Sequence, residues 1–358
     1  MEHFSSDQIA VGLEGGRTGR NVLLKRYFLL SLLLSTWLPI AFFIVIAPSG
    51  GQSNGLAAIK AVFLFLGTAH VPATLFFYTD KEFSGIIKRN HFRYIYIPIF
   101  LTLTTGLVFA FLNETAQAFV LLTYWSWQAF HYGRQNVGIY AFASIAETGK
   151  PQRRAEKIAI EAGTLLGILG TFKILGMAQA PVYLHRTFDF LYQFGAVMFV
   201  GVLVFSLAVY AKFYSNTTLF KTIFFFSAVF FFLPVFISTD INIAFLSYAM
   251  AHGMQYIIFM TVISATAAEE QTRSVPYKSL ATFLVLLLIV GFAFWRVGDL
   301  KQMEFVRDNW IYSRVAGFLF GAVLGATMSH FVVDADAWRL SMERQRTYIR
   351  KRFHFIFD

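Results

Sequence analysis

Four histidines stand inside long apolar runs of this sequence. They are His70, His131, His252 and His330. Imidazole nitrogens bind iron, zinc, copper and nickel, and they exchange protons near neutral pH. An ionisable side chain at membrane depth is costly and usually faces the interior of a helix bundle, where it serves a site. We therefore predict that the four side chains meet and hold a metal ion, although one such histidine alone could simply hydrogen-bond to a neighbouring helix.

Further polar residues lie three or four positions from these histidines, so that they share a helix face with them. They are Thr74 beside His70, Gln128 and Gln135 beside His131, Gln255 and Tyr256 beside His252, and Asp334 beside His330. A metal-bound histidine needs a partner for its second ring nitrogen, and these offsets supply such a partner or another ligand. We expect the three glutamines to orient ligands or substrate. Tyr256 and Asp334 are candidates for catalytic roles, and Asp334 is also a candidate fifth ligand.

Two charged residues near the histidines have both a plain and a functional interpretation. Arg134 lies one turn after His131. It can extend to the cytoplasmic surface, or it can bind an anionic substrate group near the metal and so take part in catalysis. Asp336 stands two residues after Asp334, and we expect it to pair with Arg339 rather than to bind metal.

The composition identifies the class of protein that must position these residues. The chain has 358 residues, of which 57% are hydrophobic and only 14% are charged, whereas about 25% are charged in soluble domains. There are no cysteines, which excludes disulfides, thiolate ligands and iron–sulfur clusters. The formal charge of +10 is dispersed over loops and does not indicate a nucleic-acid partner. The sequence therefore predicts a polytopic membrane protein with the lipid bilayer as its main partner.

Apolar segments long enough to cross a bilayer, about 20 residues, recur along the chain. They lie at residues 26–47, 57–78, 94–112, 115–146, 157–177, 189–213, 218–237, 241–267, 278–296 and 311–338. We predict an all-α bundle of ten transmembrane helices that forms a single domain over residues 26–338. A cytoplasmic N-terminal segment, 1–25, precedes it, and a basic cytoplasmic tail, 339–358, follows it.

Lysines and arginines concentrate before the first apolar run, in the second, fourth, sixth and eighth loops and in the tail, with Lys301 and Arg307 of the ninth loop as the exception. Such residues stay on the cytoplasmic side, so we predict that both termini are cytoplasmic and that the protein lies in a bacterial inner membrane. The second, fourth, eighth and tenth helices then run in the same direction. At about 1.5 Å of rise per residue, their histidines fall within one layer of the bundle.

Four imidazoles with a nearby carboxylate form the kind of donor set that non-haem iron oxygenases use. The 43 phenylalanines favour a lipophilic substrate that enters from the bilayer, with O2 as co-substrate, and iron(II) is therefore the preferred metal. Zinc would instead favour hydrolysis. A haem held by two of the histidines is the other alternative, because non-covalent haem needs no attachment motif.

Three short segments resemble the bacterial Brp/Blh family of membrane carotenoid dioxygenases. Gln-Ala-Phe-His-Tyr-Gly at 128–133 resembles the His-Phe-Gly segment of the family, Ala-His-Gly-Met-Gln-Tyr at 251–256 resembles its later His-x-x-x-His segment, and His70 stands at a comparable interval upstream. The resemblance implies an all-helical membrane enzyme that binds iron through histidines and splits β-carotene into retinal.

The chain departs from that family pattern at two places. Tyr256 replaces the second histidine of the later pair, and Arg-Gln-Asn at 134–136 follows the His-x-Gly element where the family has an acidic residue. His330 and Asp334 are candidates for the ligand that is missing. The clustered histidine boxes of membrane desaturases are not found in this sequence.

Two other classes of function stay open. Intramembrane histidine and aspartate side chains also relay protons or ions in transporters, and Pro39, Pro72 and Pro234 could break helices as transporters require. A structural membrane subunit is the third alternative. A tightly bound metal would distinguish the enzyme, and ion flux would distinguish the transporter.

Overall fold

The computed structural model describes residues 6–46, 54–179, 182–238, 240–270, 278–300 and 309–357. Over these residues the chain is helical and contains no β-strand, in agreement with the predicted all-α class. In chain order the α-helices are α1 (Ser6–Ala41), α2 (Asn54–Ala73), α3 (Phe76–Thr79), α4 (Lys81–Ile87), α5 (Ile97–Phe111), α6 (Glu114–Thr148), α7 (Arg154–Gln179), α8 (His185–Phe213), α9 (Leu219–Phe230), α10 (Pro234–Ile237), α11 (Ile241–Glu270), α12 (Lys278–Val285), α13 (Gly291–Leu300), α14 (Trp310–Ala337), α15 (Glu343–Arg352) and α16 (His354–Phe357). Short π-helical segments lie at Phe42–Ile46, Phe92–Tyr96 and Leu286–Val290, and 3-10 turns at Val182–Leu184 and Tyr214–Asn216.

Seven helices of the described chain are long and apolar enough to cross a membrane. They cover Gly19–Val45, Ala57–Thr79, Phe92–Phe111, Val182–Phe213, Ala244–Ala267, Lys278–Val297 and Trp310–Ala337. This is the pattern of an integral membrane protein. The number of ten spans stays a prediction, in which α6, α7 and the pair α9 and α10 would supply the other three.

Helix α6, which carries His131, is the longest continuous helix after α1. The side chain of Asn113 caps its first turn by accepting from the backbone N–H of Ala116 at 3.0 Å. Gly149 ends it with a φ of 65°, a left-handed conformation that glycine adopts without strain. Its 35 residues correspond to about 52 Å, which is longer than the hydrocarbon layer of a bilayer, about 30 Å.

The C-terminal tail is a folded part of the bundle. Arg352 on α15 is only 2% exposed, and its guanidinium binds Asp80 Oδ2 at 3.2 Å and Glu82 Oε2 at 2.9 Å. The Tyr348 hydroxyl donates to the same Asp80 oxygen at 2.8 Å. The sequence predicted only a basic tail here, because the many arginines of α15 make its pattern of buried residues difficult to recognise.

Helices α5 and α14 approach each other along a row of glycines. A Cβ atom on Gly317, Gly321 or Gly325 would collide with a backbone carbonyl oxygen of α5. Small residues every four positions permit this close contact between membrane helices. The packing fixes the helix that carries His330.

Candidate metal centre

The four histidines meet in the interior of the bundle. His70 lies on α2, His131 on α6, His252 on α11 and His330 on α14, and each is at most 7% exposed. The ring centroids of His70 and His131 each lie 4.9 to 5.0 Å from those of His252 and His330, which are 6.3 Å apart. Four helices from distant parts of the sequence therefore bring four imidazoles to one point.

The hydrogen bonds of two of these histidines determine which ring nitrogen is free. His70 Nδ1 contacts the carbonyl oxygen of Gly67, which can only accept, so Nδ1 carries the proton and Nε2 keeps a lone pair. His330 Nδ1 contacts Thr74 Oγ1 at 2.6 Å, Thr74 contacts the Tyr256 hydroxyl at 2.8 Å, and that hydroxyl donates to Asp334 Oδ1 at 3.0 Å. If Asp334 is ionised, every hydrogen bond in this series can form when His330 Nδ1 donates to Thr74, Thr74 to Tyr256 and Tyr256 to Asp334. His330 Nδ1 then carries the proton, and Nε2 of His330 again keeps a lone pair.

Five other ring nitrogens of the cluster are buried and have no hydrogen-bond partner among the described residues. They are Nε2 of His70, His131 and His330 and both ring nitrogens of His252. A buried polar atom without a partner is unfavourable by about 1–3 kcal/mol. A metal ion bound by these nitrogens would remove that penalty, and the contacts at His70 and His330 are the partners that metal-bound histidines use for the second nitrogen.

The spacing of the ligand atoms suits one metal ion or a closely spaced pair. One ligand atom from each of His70, His252 and His330 lies within 4.8 Å of the other two. The same holds for the ligand atoms of His131, His330 and Asp334. Nitrogens bound to one metal at about 2.1 Å are at most about 4.2 Å apart. The ligand atoms of this structure lie within 4.8 Å of one another in each group, which is slightly wider than that limit.

Asp334 places a carboxylate at the edge of the histidine cluster. It is 5% exposed, and its Oδ2 lies 3.6 Å from His330 Nδ1 and 3.9 Å from His131 Nε2. No lysine or arginine pairs with it in the part of the chain that the structure describes. A buried carboxylate without a counter-charge is strongly unfavourable, and a cation held by the histidines would supply that charge. The donor set therefore fits a metal ion.

A break at the end of α2 gives Thr74 its place in this network. Pro72 lies in the last turn of α2, and 3-10-type bonds follow, with Thr74 N donating to the Val71 carbonyl at 3.1 Å and Leu75 N to that of Pro72 at 2.9 Å. Thr74 was expected to support His70, four residues earlier. The structure instead turns its hydroxyl towards His330 and Tyr256, because the chain leaves the helical path after Ala73.

Two glycines bring the helices of His70 and His252 together. A Cβ on Gly253 would lie 2.8 Å from the Cα of Gly67 and 3.0 Å from His70 Nδ1. Gly253 therefore has no room for a side chain, whereas a Cβ on Gly67 would meet the flexible end of the Met250 side chain. Because Gly253 directly follows His252, this contact between α2 and α11 also sets the distance between the two imidazoles.

The three glutamines lie near the histidines but bond to other groups. Gln135 Nε2 donates to the His252 carbonyl at 3.1 Å and to Gln255 Oε1 at 3.0 Å, and Gln255 Nε2 donates to Thr36 Oγ1 at 2.7 Å. Gln128 Nε2 donates to the hydroxyl of a neighbouring tyrosine, Tyr132. The glutamines thus tie α1, α6 and α11 together around His252, and sequence reasoning did not identify Thr36 as a member of this network.

The two charged residues with alternative interpretations both form ion pairs. Arg134 Nη1 binds Glu161 Oε1 at 2.6 Å on the exposed side of α6. Asp336 does not pair with Arg339, so that expectation is wrong. Its oxygens accept instead from Arg93 at 2.9 Å and from Tyr94 at 2.9 Å, because the approach of α5 to α14 brings these donors to it.

Comparison with family models, with curated proteins and with solved structures finds no match for this chain. The function is therefore argued from the site itself.

Proposed function

We propose that the chain is a membrane-embedded, non-haem iron oxygenase that acts on a lipophilic substrate. One observation carries the proposal: the unpartnered nitrogens of four buried histidines converge beside a buried carboxylate that has no basic partner in the described chain. The iron would be held by His70, His131, His252 and His330. Asp334 would add a fifth ligand through a carboxylate oxygen, or it would bind protons next to the iron.

The donor set supports iron over the alternatives. Imidazole and carboxylate donors together suit iron(II) with positions open to substrate. A porphyrin held between two of these histidines would need the space that the other two rings occupy, since His70 and His131 lie within about 5 Å of both His252 and His330. Bound iron(II) would supply activation of O2. The resemblance of the segments around His131 and His252 to the Brp/Blh dioxygenases points to the same chemistry.

The remaining residues have roles that follow from their contacts. Tyr256 holds Asp334 through its hydroxyl and can pass a proton between that carboxylate and Thr74. Gln135 and Gln255 hold the α11 backbone at His252. Aromatic side chains line the cavity beside His131 and Asp334 and would contact an apolar substrate there.

Nitric oxide provides a direct test of an open iron site. Nitric oxide adds to non-haem iron(II) that has a free coordination position, and the adduct has a characteristic paramagnetic resonance signal. The detergent-purified chain is loaded with iron(II) without oxygen and exposed to nitric oxide, beside His252→Ala and a control, His91→Ala, at an exposed position.

We expect the signal in the wild type and in His91→Ala, and its loss in His252→Ala. A folded wild type that gives no signal would refute the open iron site. Zinc retained in its place would indicate hydrolysis, and movement of protons across liposomes without any bound metal would favour the transporter.

A further inference from the structure

A cavity of about 470 Å³ lies between α6 and α14 beside the histidine cluster. We call it the α6–α14 cleft, and its walls include Trp127, Phe130, Val137, Phe142, Phe331 and Trp338. Of the candidate metal centre, His131, Tyr256 and Asp334 line the cleft, whereas the other three histidines do not. A substrate in the cleft would therefore approach the metal from the side of His131 and Asp334.

The shape of the cleft suits one extended chain. Its wall on α6 runs from Trp127 to Phe142, which corresponds to about 22 Å along the helix axis. Volumes of about 300–1,000 Å³ are usual for small-molecule sites, and a wall of this length with several apolar side chains suits an extended hydrocarbon chain.

The rim of the cleft carries an excess of positive charge. Three arginines line it. Arg93 and Arg134 each bind a carboxylate, Asp336 at 2.9 Å and Glu161 at 2.6 Å. Arg339 is exposed and forms no ion pair in the described part of the chain. A cleft with apolar side chains along its walls and an exposed arginine that lacks an ion-pair partner among the described residues is complementary to an amphiphile with an anionic head.

We propose that the cleft binds a single-chain carboxylate of the long-chain fatty-acid class, which is the lipophilic substrate of the metal centre. The carboxylate pairs with Arg339, whose Nε donates to Ser341 Oγ at 3.3 Å and whose other donors can take a carboxylate in the bidentate manner. The chain passes Trp338 and Phe142 and reaches His131 and Asp334. The assignment as substrate rests on the proposed function, whereas the binding itself can be measured without it.

Equilibrium binding of radiolabelled hexadecanoate to the detergent-purified full chain tests this proposal. Unlabelled hexadecanoate, hexadecanol and hexadecyltrimethylammonium serve as competitors. We expect hexadecanoate to compete about tenfold better than hexadecanol, because the alcohol cannot form the charge-assisted hydrogen bond to Arg339. The cation should compete least. Equal competition by acid and alcohol would overturn the anionic head.

Matched variants locate the site. Arg339→Gln should weaken hexadecanoate binding about tenfold and leave hexadecanol unchanged, whereas Arg350→Gln, an exposed arginine of α15 that does not line the cleft, should change neither. Gly138→Trp, which places a large ring in the cleft, should abolish binding of both. An unchanged affinity in Arg339→Gln, or in Gly138→Trp, would overturn the proposal.

Iron content measured on the same preparations tests the metal centre separately from hexadecanoate binding in the cleft. Hexadecanoate binding in a chain that takes up no iron would support the cleft and refute the metal centre. Iron without hexadecanoate binding would refute the cleft alone.

Discussion

Tyr256 and Thr74 connect the candidate ligands to one another. The Tyr256 hydroxyl contacts both Thr74 and Asp334, and Thr74 also contacts His330 Nδ1. Groups that hold metal ligands in this way affect metal affinity although they do not bind the metal. The Tyr256 hydroxyl here orients the carboxylate of Asp334.

The Tyr256→Phe variant isolates this contribution. The ring is kept, so packing is preserved, but Asp334 loses its donor and Thr74 loses an acceptor. We expect iron(II) affinity to fall about 10- to 100-fold, measured by competition with a fluorescent chelator. Tyr27→Phe, at an exposed position, is the control. Equal iron affinity in the Tyr256→Phe variant and the wild type would contradict the role of this hydroxyl.

At the scale of residues, the position of the four histidines and Asp334 in apolar runs was sufficient to predict that these side chains lie together. It did not predict which partner each residue would have. Thr74, four residues after His70, serves His330 because Pro72 ends α2, and Asp336 turns to Arg93. Both partners lie far away in sequence, and helical spacing describes only neighbours on the same helix.

At the scale of elements, α14 contributes most to the site, with His330 and Asp334 on one face. Its position depends on the contact of Gly317, Gly321 and Gly325 with α5. Small residues four positions apart are typical of close contacts between membrane helices, but this spacing does not identify α5 as the partner helix.

Gly321→Ala tests this contact. The added methyl group would meet the Thr105 carbonyl oxygen, so we expect destabilisation by about 1–3 kcal/mol, measured by SDS-driven unfolding. Gly201→Ala on α8, where a Cβ meets nothing within 4 Å, should leave stability unchanged or slightly higher. A Gly321→Ala protein as stable as Gly201→Ala would show that the two helices are not in close contact.

The α15 helix fastens the C-terminal tail through Arg352. This arginine and Asp80 are 2% and 6% exposed, and removal of one partner leaves a buried charge. Burial, together with Asp80, raises the pKa of the Tyr348 phenol well above its usual range, so Tyr348 remains a donor to Asp80 at all ordinary pH values.

Arg352→Ala should therefore destabilise the protein by about 3 kcal/mol in the same unfolding assay, since Tyr348 alone cannot neutralise Asp80. Arg346→Ala, at an exposed position of the same helix, should have little effect. Equal stability of the two variants would mean that the tail does not dock as described.

At the scale of the whole molecule, the apolar pattern predicted a helical membrane protein, and seven helices of the described chain meet the length and composition of a span. The orientation follows from the distribution of lysine and arginine and stays a prediction. The convergence of four distant histidines was predicted from a shared direction and depth of four helices, but their packing order depends on contacts such as that of Gly67 with Gly253, which periodicity does not reveal.

The absence of cysteine makes the orientation directly measurable. Lys88→Cys follows α4, and Thr115→Cys lies at the start of α6. With a cytoplasmic N-terminus, a membrane-impermeant maleimide should label Thr115→Cys in intact cells and Lys88→Cys only after permeabilisation. The opposite labelling pattern would place the basic loops outside.

The most direct measurement is the metal content of the detergent-purified chain, by elemental mass spectrometry, after preparation in metal-replete medium. His131→Ala and His252→Ala are prepared beside it, with His91→Ala as the control. We predict about one iron per chain, by analogy with mononuclear histidine sites, in the wild type and the control, and its loss in both site variants. A well-folded wild type without bound metal, or iron that persists in both site variants, would contradict the metal centre.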